Sequence, residues 1–96
     1  MPSYSWNVGK AKTNRRKHRV SFEDAIPALE DPRRLEMVDD RHDYGETRLR
    51  VIGLTPKGVL FVVTTDESDD VCRIISARKA THYEQDLYFS GHSEAW

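Results

Sequence analysis

The heptapeptide Val59 to Thr65, VLFVVTT, is the most apolar run in this chain and leaves the least choice of fold. It is rich in β-branched residues, and it is bounded by Pro56-Lys57-Gly58 before and by Asp66-Glu67-Ser68-Asp69-Asp70 after. A short run of this kind reads as a strand buried on both faces, so it belongs mid-sheet with a partner on each side. Glu46 to Leu54 supplies one partner, with Arg48, Arg50 and Ile52 on one face and Leu49 and Val51 on the other. Pro56-Lys57-Gly58 is the turn between them. A turn over Asp66 to Asp70 then leads into a second strand holding Val71, Ile74 and Ile75. The result is a three-stranded antiparallel meander with an extra edge strand at Arg33 to Asp39, where Leu35 and Met37 alternate with other residues.

Helices flank this sheet. Tyr4-Ser5-Trp6 is a strand-like opening, and Asn7 can cap a helix over Val8 to His18 whose apolar content is thin. Ser21 with Asp24 opens a second helix, and Phe22, Ala25, Ile26 and Leu29 make its apolar face. Pro27 removes a backbone donor inside it, so the helix kinks or stays about two turns long, and Asp31-Pro32 ends it. Thr81 with Glu84 spells a third helix start, directly after the cations Arg78 and Lys79. Two helices, a sheet of three to four antiparallel strands and a closing helix make an α+β domain over residues 1–90, with 91–96 as a flexible tail.

Composition narrows the function classes. No run of about 18 apolar residues and no basic-then-apolar leader is present, which places the chain in the cytoplasm. Cys72 has no partner cysteine, and the four His are too scattered for a zinc site. The net charge of −1 hides a segregation: Lys10, Lys12, Arg15, Arg16, Lys17 and Arg19 fall in the first 20 residues with no acid among them. Ser21 to Glu46 reverses the sign, with nine acids against three arginines. A chain polarised in this way can attract a polyanion on one face only.

A family resemblance runs through three separated blocks. They are Trp6, Lys10, Asn14, Lys17-His18, Val20-Ser21-Phe22 and Ala25; then Asp31-Pro32, His42, Gly45-Glu46, Arg48 and Ile52-Gly53; and last Arg73 to Ala80, Glu84 and Tyr88. In order and spacing the chain resembles the BrnT toxins. The resemblance implies a RelE-like fold, a ribonuclease toxin of a type II toxin-antitoxin system that inhibits translation, and no cofactor. It also implies an RNA substrate and a BrnA-like antitoxin whose ribbon-helix-helix dimer binds operator DNA and would gather the complex into a heterotetramer. Asn7 and Arg19 stand where that family usually has Asp and Gly, and Pro27 interrupts its second helix.

Metal-free RNA cleavage needs a base for the 2′-OH, cations for the charge that grows on phosphorus, and an acid for the leaving oxygen. Arg73 and Arg78 are the expected phosphate clamps, Arg48 is a third cation, and Glu46 or His18 is the proton-transfer group. Lys10, Lys17, Lys79 and Tyr88 are expected to contact RNA, with Lys12, Arg15 and Arg16 guiding it and His42 in a nearby polar loop. Each has a plainer reading. Glu46 and Arg48 make a same-face ion pair, His18 caps a helix C-terminus, Glu84 caps the last helix, and Tyr83, Leu87 and Phe89 pack. Arg73 and Arg78 have opposite parity along one strand, so they share a site only if that strand ends or bends between them. A non-catalytic RNA- or antitoxin-binding module of the same fold is the alternative.

Overall fold

A computed structural model describes residues 3–40 and 45–91. In chain order the elements are β1 (Ser3–Ser5), α1 (Val8–His18), α2 (Phe22–Glu30), β2 (Leu35–Asp39), β3 (Arg48–Thr55), β4 (Gly58–Ser68), β5 (Val71–Lys79) and α3 (His82–Ser90). They form an α+β domain around one five-stranded sheet of order β1-β5-β4-β3-β2. The apolar run of β4 is central, as its composition predicts.

The sheet departs from the expected three to four antiparallel strands. It has five strands and is mixed, because β1 pairs parallel to β5 through Ser3, Tyr4 and Ser5 against Val71, Cys72 and Arg73. The strand-like opening at Tyr4-Ser5-Trp6 is thus a strand over Ser3–Ser5, but nothing local announces its pairing with β5. Tertiary contacts hold it: Tyr4 Oη donates to Glu30 at 3.0 Å and Ser5 Oγ to Glu67 at 2.6 Å. The predicted turn at Asp66 to Asp70 is also shorter than expected, since β4 continues to Ser68. Of the expected tail at 91–96, Gly91 is the C-cap of α3; residues 92–96 and the loop positions 41–44, His42 among them, lie outside the described residues.

One face of the sheet is closed by α1 and α2. Val20, Phe22, Ala25 and Ala28 pack there against Leu60, Val62, Ile74 and Ala77. Burying a side chain the size of Phe22 or Leu60 contributes about 1.5–3 kcal/mol. α2 comes so close to β3 that a Cβ on Gly53 would lie 2.3 Å from the Ala28 carbonyl oxygen. α1 has too few apolar residues to dock by burial alone, and it docks instead through Asn14. The Asn14 amide donates to the carbonyls of Ala77 (2.8 Å) and Val20 (3.0 Å), and its oxygen accepts from the Ala77 N–H at 3.1 Å. One buried side chain thus completes the ladder of β5 where β1 has ended, and the edge strand is left with no unpaired amide at that point.

The helix ends follow the sequence. Asn7 caps α1, and Ser21–Asp24 and Thr81–Glu84 form reciprocal capping boxes. Despite Pro27, α2 keeps nine residues, about two and a half turns. α3 crosses the second face at one end, with Leu87 and Tyr88 packed among Leu35, Ile52, Val59 and Phe61. Asp31 ties the ends of three elements together: it accepts from the Leu54 N–H at 2.8 Å, from the Arg33 N–H at 2.9 Å and from the Tyr88 hydroxyl. Burial pushes its carboxyl up, yet these donors outweigh that and hold it below the usual carboxylate range.

Two substitutions test this account by urea denaturation. Arg19 ends α1 in the left-handed region at φ 60°, so Arg19→Gly should raise stability by about 0.5–1 kcal/mol. Gly53→Ala should lower it by about 2–4 kcal/mol, because the clash is with backbone. Acid should act through Asp31: its carboxyl is depressed in the folded state, so its stabilising effect is complete above the unfolded value of 3.8. That contribution is lost as pH falls through the folded value, and Asp31→Asn should lessen this acid dependence.

Candidate nuclease site

Three rows of side chains cross the second face of the sheet, from β2 through β3 and β4 to β5. The register sets Asp39, Arg48, Thr65 and Arg73 in one row, Met37, Arg50, Val63 and Ser76 in the next, and Leu35, Ile52, Phe61 and Arg78 in the third. α3 packs over the third row. Arg73 and Arg78 lie on the same face although the count between them is odd. β5 does not end before Arg78 but bends there, one of the two ways the sequence left open; it carries a bulge, since Val63 pairs with Ser76 while Thr64 pairs with Ile74. The extra residue, Ile75, moves everything beyond it to the other face.

The first row gathers around Glu46, which stands just before β3. Arg73 Nη2 lies 3.0 and 3.2 Å from its two carboxylate oxygens, and Arg48 Nε lies 3.3 Å from Oε2. Arg48 is 20% exposed and Arg73 33% exposed, so these guanidinium groups are anchored and still reach solvent. In the third row Arg78 stacks on the Phe61 ring, 4.1 Å from its centroid. Its two Nη atoms meet the two oxygens of Glu84 at 2.8 and 2.9 Å. Burial pushes the Glu84 carboxyl up, but Arg78 and Thr81 together hold it below the usual range. Arg78 Nε takes part in none of these contacts.

Beside β5, an open cleft of about 540 Å³ is lined by Lys10, Asn14, Lys17 and His18 of α1 and by Ile75 and Ser76 of the bulge. His18 is partly buried there. Desolvation, with Lys17 and Arg78 nearby, lowers its pKa below the ordinary 6.5, which favours the neutral ring. A neutral imidazole among fixed cations can accept a proton next to a phosphate.

A family model described as the ribonuclease toxin BrnT of type II toxin-antitoxin systems matches residues 6–84, most of the chain. The chain belongs to the BrnT family. Among solved structures, the crystal structure of the Brucella abortus ribonuclease toxin BrnT is similar in fold, with a TM-score of 0.62 and 22% sequence identity. That match covers 85% of this chain and all of the other. No curated protein matches the chain. Within this BrnT-family protein, no helix of the described residues is long and apolar enough to cross a membrane.

The residues singled out from the sequence fall into two groups and two outliers. Glu46, Arg48 and Arg73 meet in one cluster; Lys10, Lys17 and His18 line the cleft, with Arg78 near enough to act on the imidazole. Lys79 pairs with Leu60, which puts it on the opposite face from Arg78. Tyr88, expected to meet RNA, is 8% exposed, with its hydroxyl on Asp31 and its ring edge-on to Phe89, so it belongs to the core. Glu84 caps α3 as its plainer reading had it, and it also holds Arg78. Asn14 entered the sequence reading as one residue of the family blocks, with no role of its own; a buried polar side chain facing a strand edge has no local signature. An NMR titration of His18 should give a midpoint below 6.5, and Lys17→Ala should move it back upward by removing a neighbouring positive charge.

Proposed function

We propose that this BrnT-family protein is a metal-independent endoribonuclease that inhibits translation in the cytoplasm. The observation that carries the reading is the open cleft beside β5 that Lys10, Lys17 and His18 line together, with Arg78 close enough to act on the imidazole. His18 would take the proton from the 2′-OH while the lysines and the Nε edge of Arg78 meet the charge that builds on the phosphorane. The oxygens of Glu46 already accept from two guanidinium groups, which fits a residue that orients Arg48 and Arg73 better than one that removes a proton. Arg48 and Arg73 then clamp a neighbouring phosphate. Arg48, Arg73 and Arg78 are anchored on the sheet by Glu46 and Glu84 before RNA arrives, so little ordering of them remains to be done on binding.

The same face is the natural place for inhibition. An antitoxin of the BrnA type, with a ribbon-helix-helix dimer for operator DNA, would lay an acidic or apolar segment over the cleft and bring two toxins into a heterotetramer. A RelE-like ancestry fits the order of two helices, a sheet and a closing helix.

The test is cleavage of RNA by the purified protein in EDTA. His18→Ala should lower kcat by about 10²–10⁴-fold and Arg73→Ala should lower kcat/KM by roughly 10²-fold. Wild-type activity should fall with acidification as His18 becomes protonated, and the His18 variant should lack that limb. Salt-sensitive RNA binding without new 5′ ends would instead establish a binding module. Wild-type rates in both variants would remove the site assigned here.

A further inference from the structure

β1 pairs with β5 only as far as Ser5 opposite Arg73, and among the described residues no strand continues along that edge. α1 takes over there. Lys10, Lys17 and His18 sit one helical turn before and after Asn14, so all four share the side of α1 that lines the cleft with Ile75 and Ser76. Of the four, Asn14 alone is buried, at 6% exposure. Its amide is wholly engaged by backbone: the two N–H groups donate to the carbonyls of Ala77 and Val20, and the oxygen accepts from the Ala77 N–H. No donor is left for a substrate. Ala77 stands between the bulge and Arg78, and Val20 lies just past the Arg19 cap that ends α1. One side chain therefore joins the helix end that carries His18 to the strand that carries Arg78. Resting on the nuclease reading above, we propose that Asn14 is a positioning residue of that site: its amide replaces a missing strand and fixes how far His18, Lys10 and Lys17 stand from β5 and Arg78.

Little else holds the helix at that distance. α1 brings Ala11 to the core, while its other apolar side chain, Val8, is 65% exposed. The position also calls for this amide. Ala77 offers one donor and one acceptor and Val20 a second acceptor, so the side chain there must carry two N–H groups and an oxygen on a short stem. Aspartate would set its oxygens against two carbonyls, and leucine would leave three backbone groups without a partner. Glutamine keeps the chemistry but adds a methylene, so the same bonds form only with α1 moved outward. A displacement of about 1 Å in a reacting group can lower a rate by about 10²-fold. Asn14 thus acts on the reaction through His18 without touching RNA.

The full chain is tested as Asn14→Gln and as Asn14→Ser, the second leaving room for water at Ala77 should the longer side chain prevent folding. Lys10 and Lys17 share the cleft with His18 from α1, Arg78 acts on it from β5, and among the described residues that line it there is no acid. In the wild type, Arg78→Gln should raise the NMR titration midpoint of His18 by removing a facing charge. In either Asn14 background the same change should raise it by no more than about half as much, because the two groups are no longer held together. Asn14→Gln should also lower kcat by about 10–10²-fold, with KM changed less than about threefold because Arg48 and Arg73 still bind. A residue that merely stabilises the fold would shift the urea midpoint and leave both readouts alone. An undiminished effect of Arg78 on His18 in the folded variants, or kcat within about twofold of wild type, overturns the positioning role and leaves the nuclease reading standing. If the wild type cuts no RNA the nuclease reading falls, and the titration cycle alone then decides whether Asn14 sets the spacing.

Discussion

Where β5 reaches Ile75 its ladder with β4 slips by one residue, and the side chains beyond that point exchange faces. Ile74 and Ala77, three apart, consequently enter the same apolar layer beneath α1 and α2. Arg73 and Arg78, five apart, emerge together on the other side. Without that extra residue one of the two would have to lie in the core, where an unpaired guanidinium is far too costly to bury. The bulge therefore settles the packing of one face and sets both arginines on the other, and the cleft beside it is lined by Ile75 and Ser76 themselves.

Electrostatic arrangement follows from the same sheet. A row of guanidinium groups on one face would repel itself, and this protein relieves the repulsion by giving carboxylates two roles. Glu46 ties strands β3 and β5 together through Arg48 and Arg73, while Glu84 is both the cap of α3 and the clamp of Arg78. Glu46 meets one nitrogen each of Arg48 and Arg73, and Glu84 meets two of Arg78, so each acid holds its arginine through part of the fork of donors. On the other side of β5, Asn14 satisfies the strand edge so that α1 can hold His18, Lys10 and Lys17 against it without an apolar face of its own.

Much of the fold was legible along the chain because the signals are local. Asn7, Ser21–Asp24 and Thr81–Glu84 are caps whose chemistry is complete within four residues, and β3 and β4 declare themselves by alternation and by a continuous apolar run. β1 was legible only as a strand-like opening, since its pairing with β5 joins residues nearly seventy positions apart. Tyr88 looked like a surface aromatic one turn past Glu84, but α3 turns that side toward Asp31 and the sheet. Lys79 looked like a companion of Arg78, but strand alternation sends neighbours to opposite faces.

By itself the sequence determined the element types, the central strand, the helix starts and the supply of arginines, lysines, one histidine and one glutamate that metal-free phosphoryl chemistry calls for. Only the tertiary structure decided which of them meet. Face and proximity depend on register, and register here turns on a single inserted residue that no periodicity announces. A shift of one position in a two-residue repeat is invisible in composition, yet it decides whether a charge is buried or set beside another.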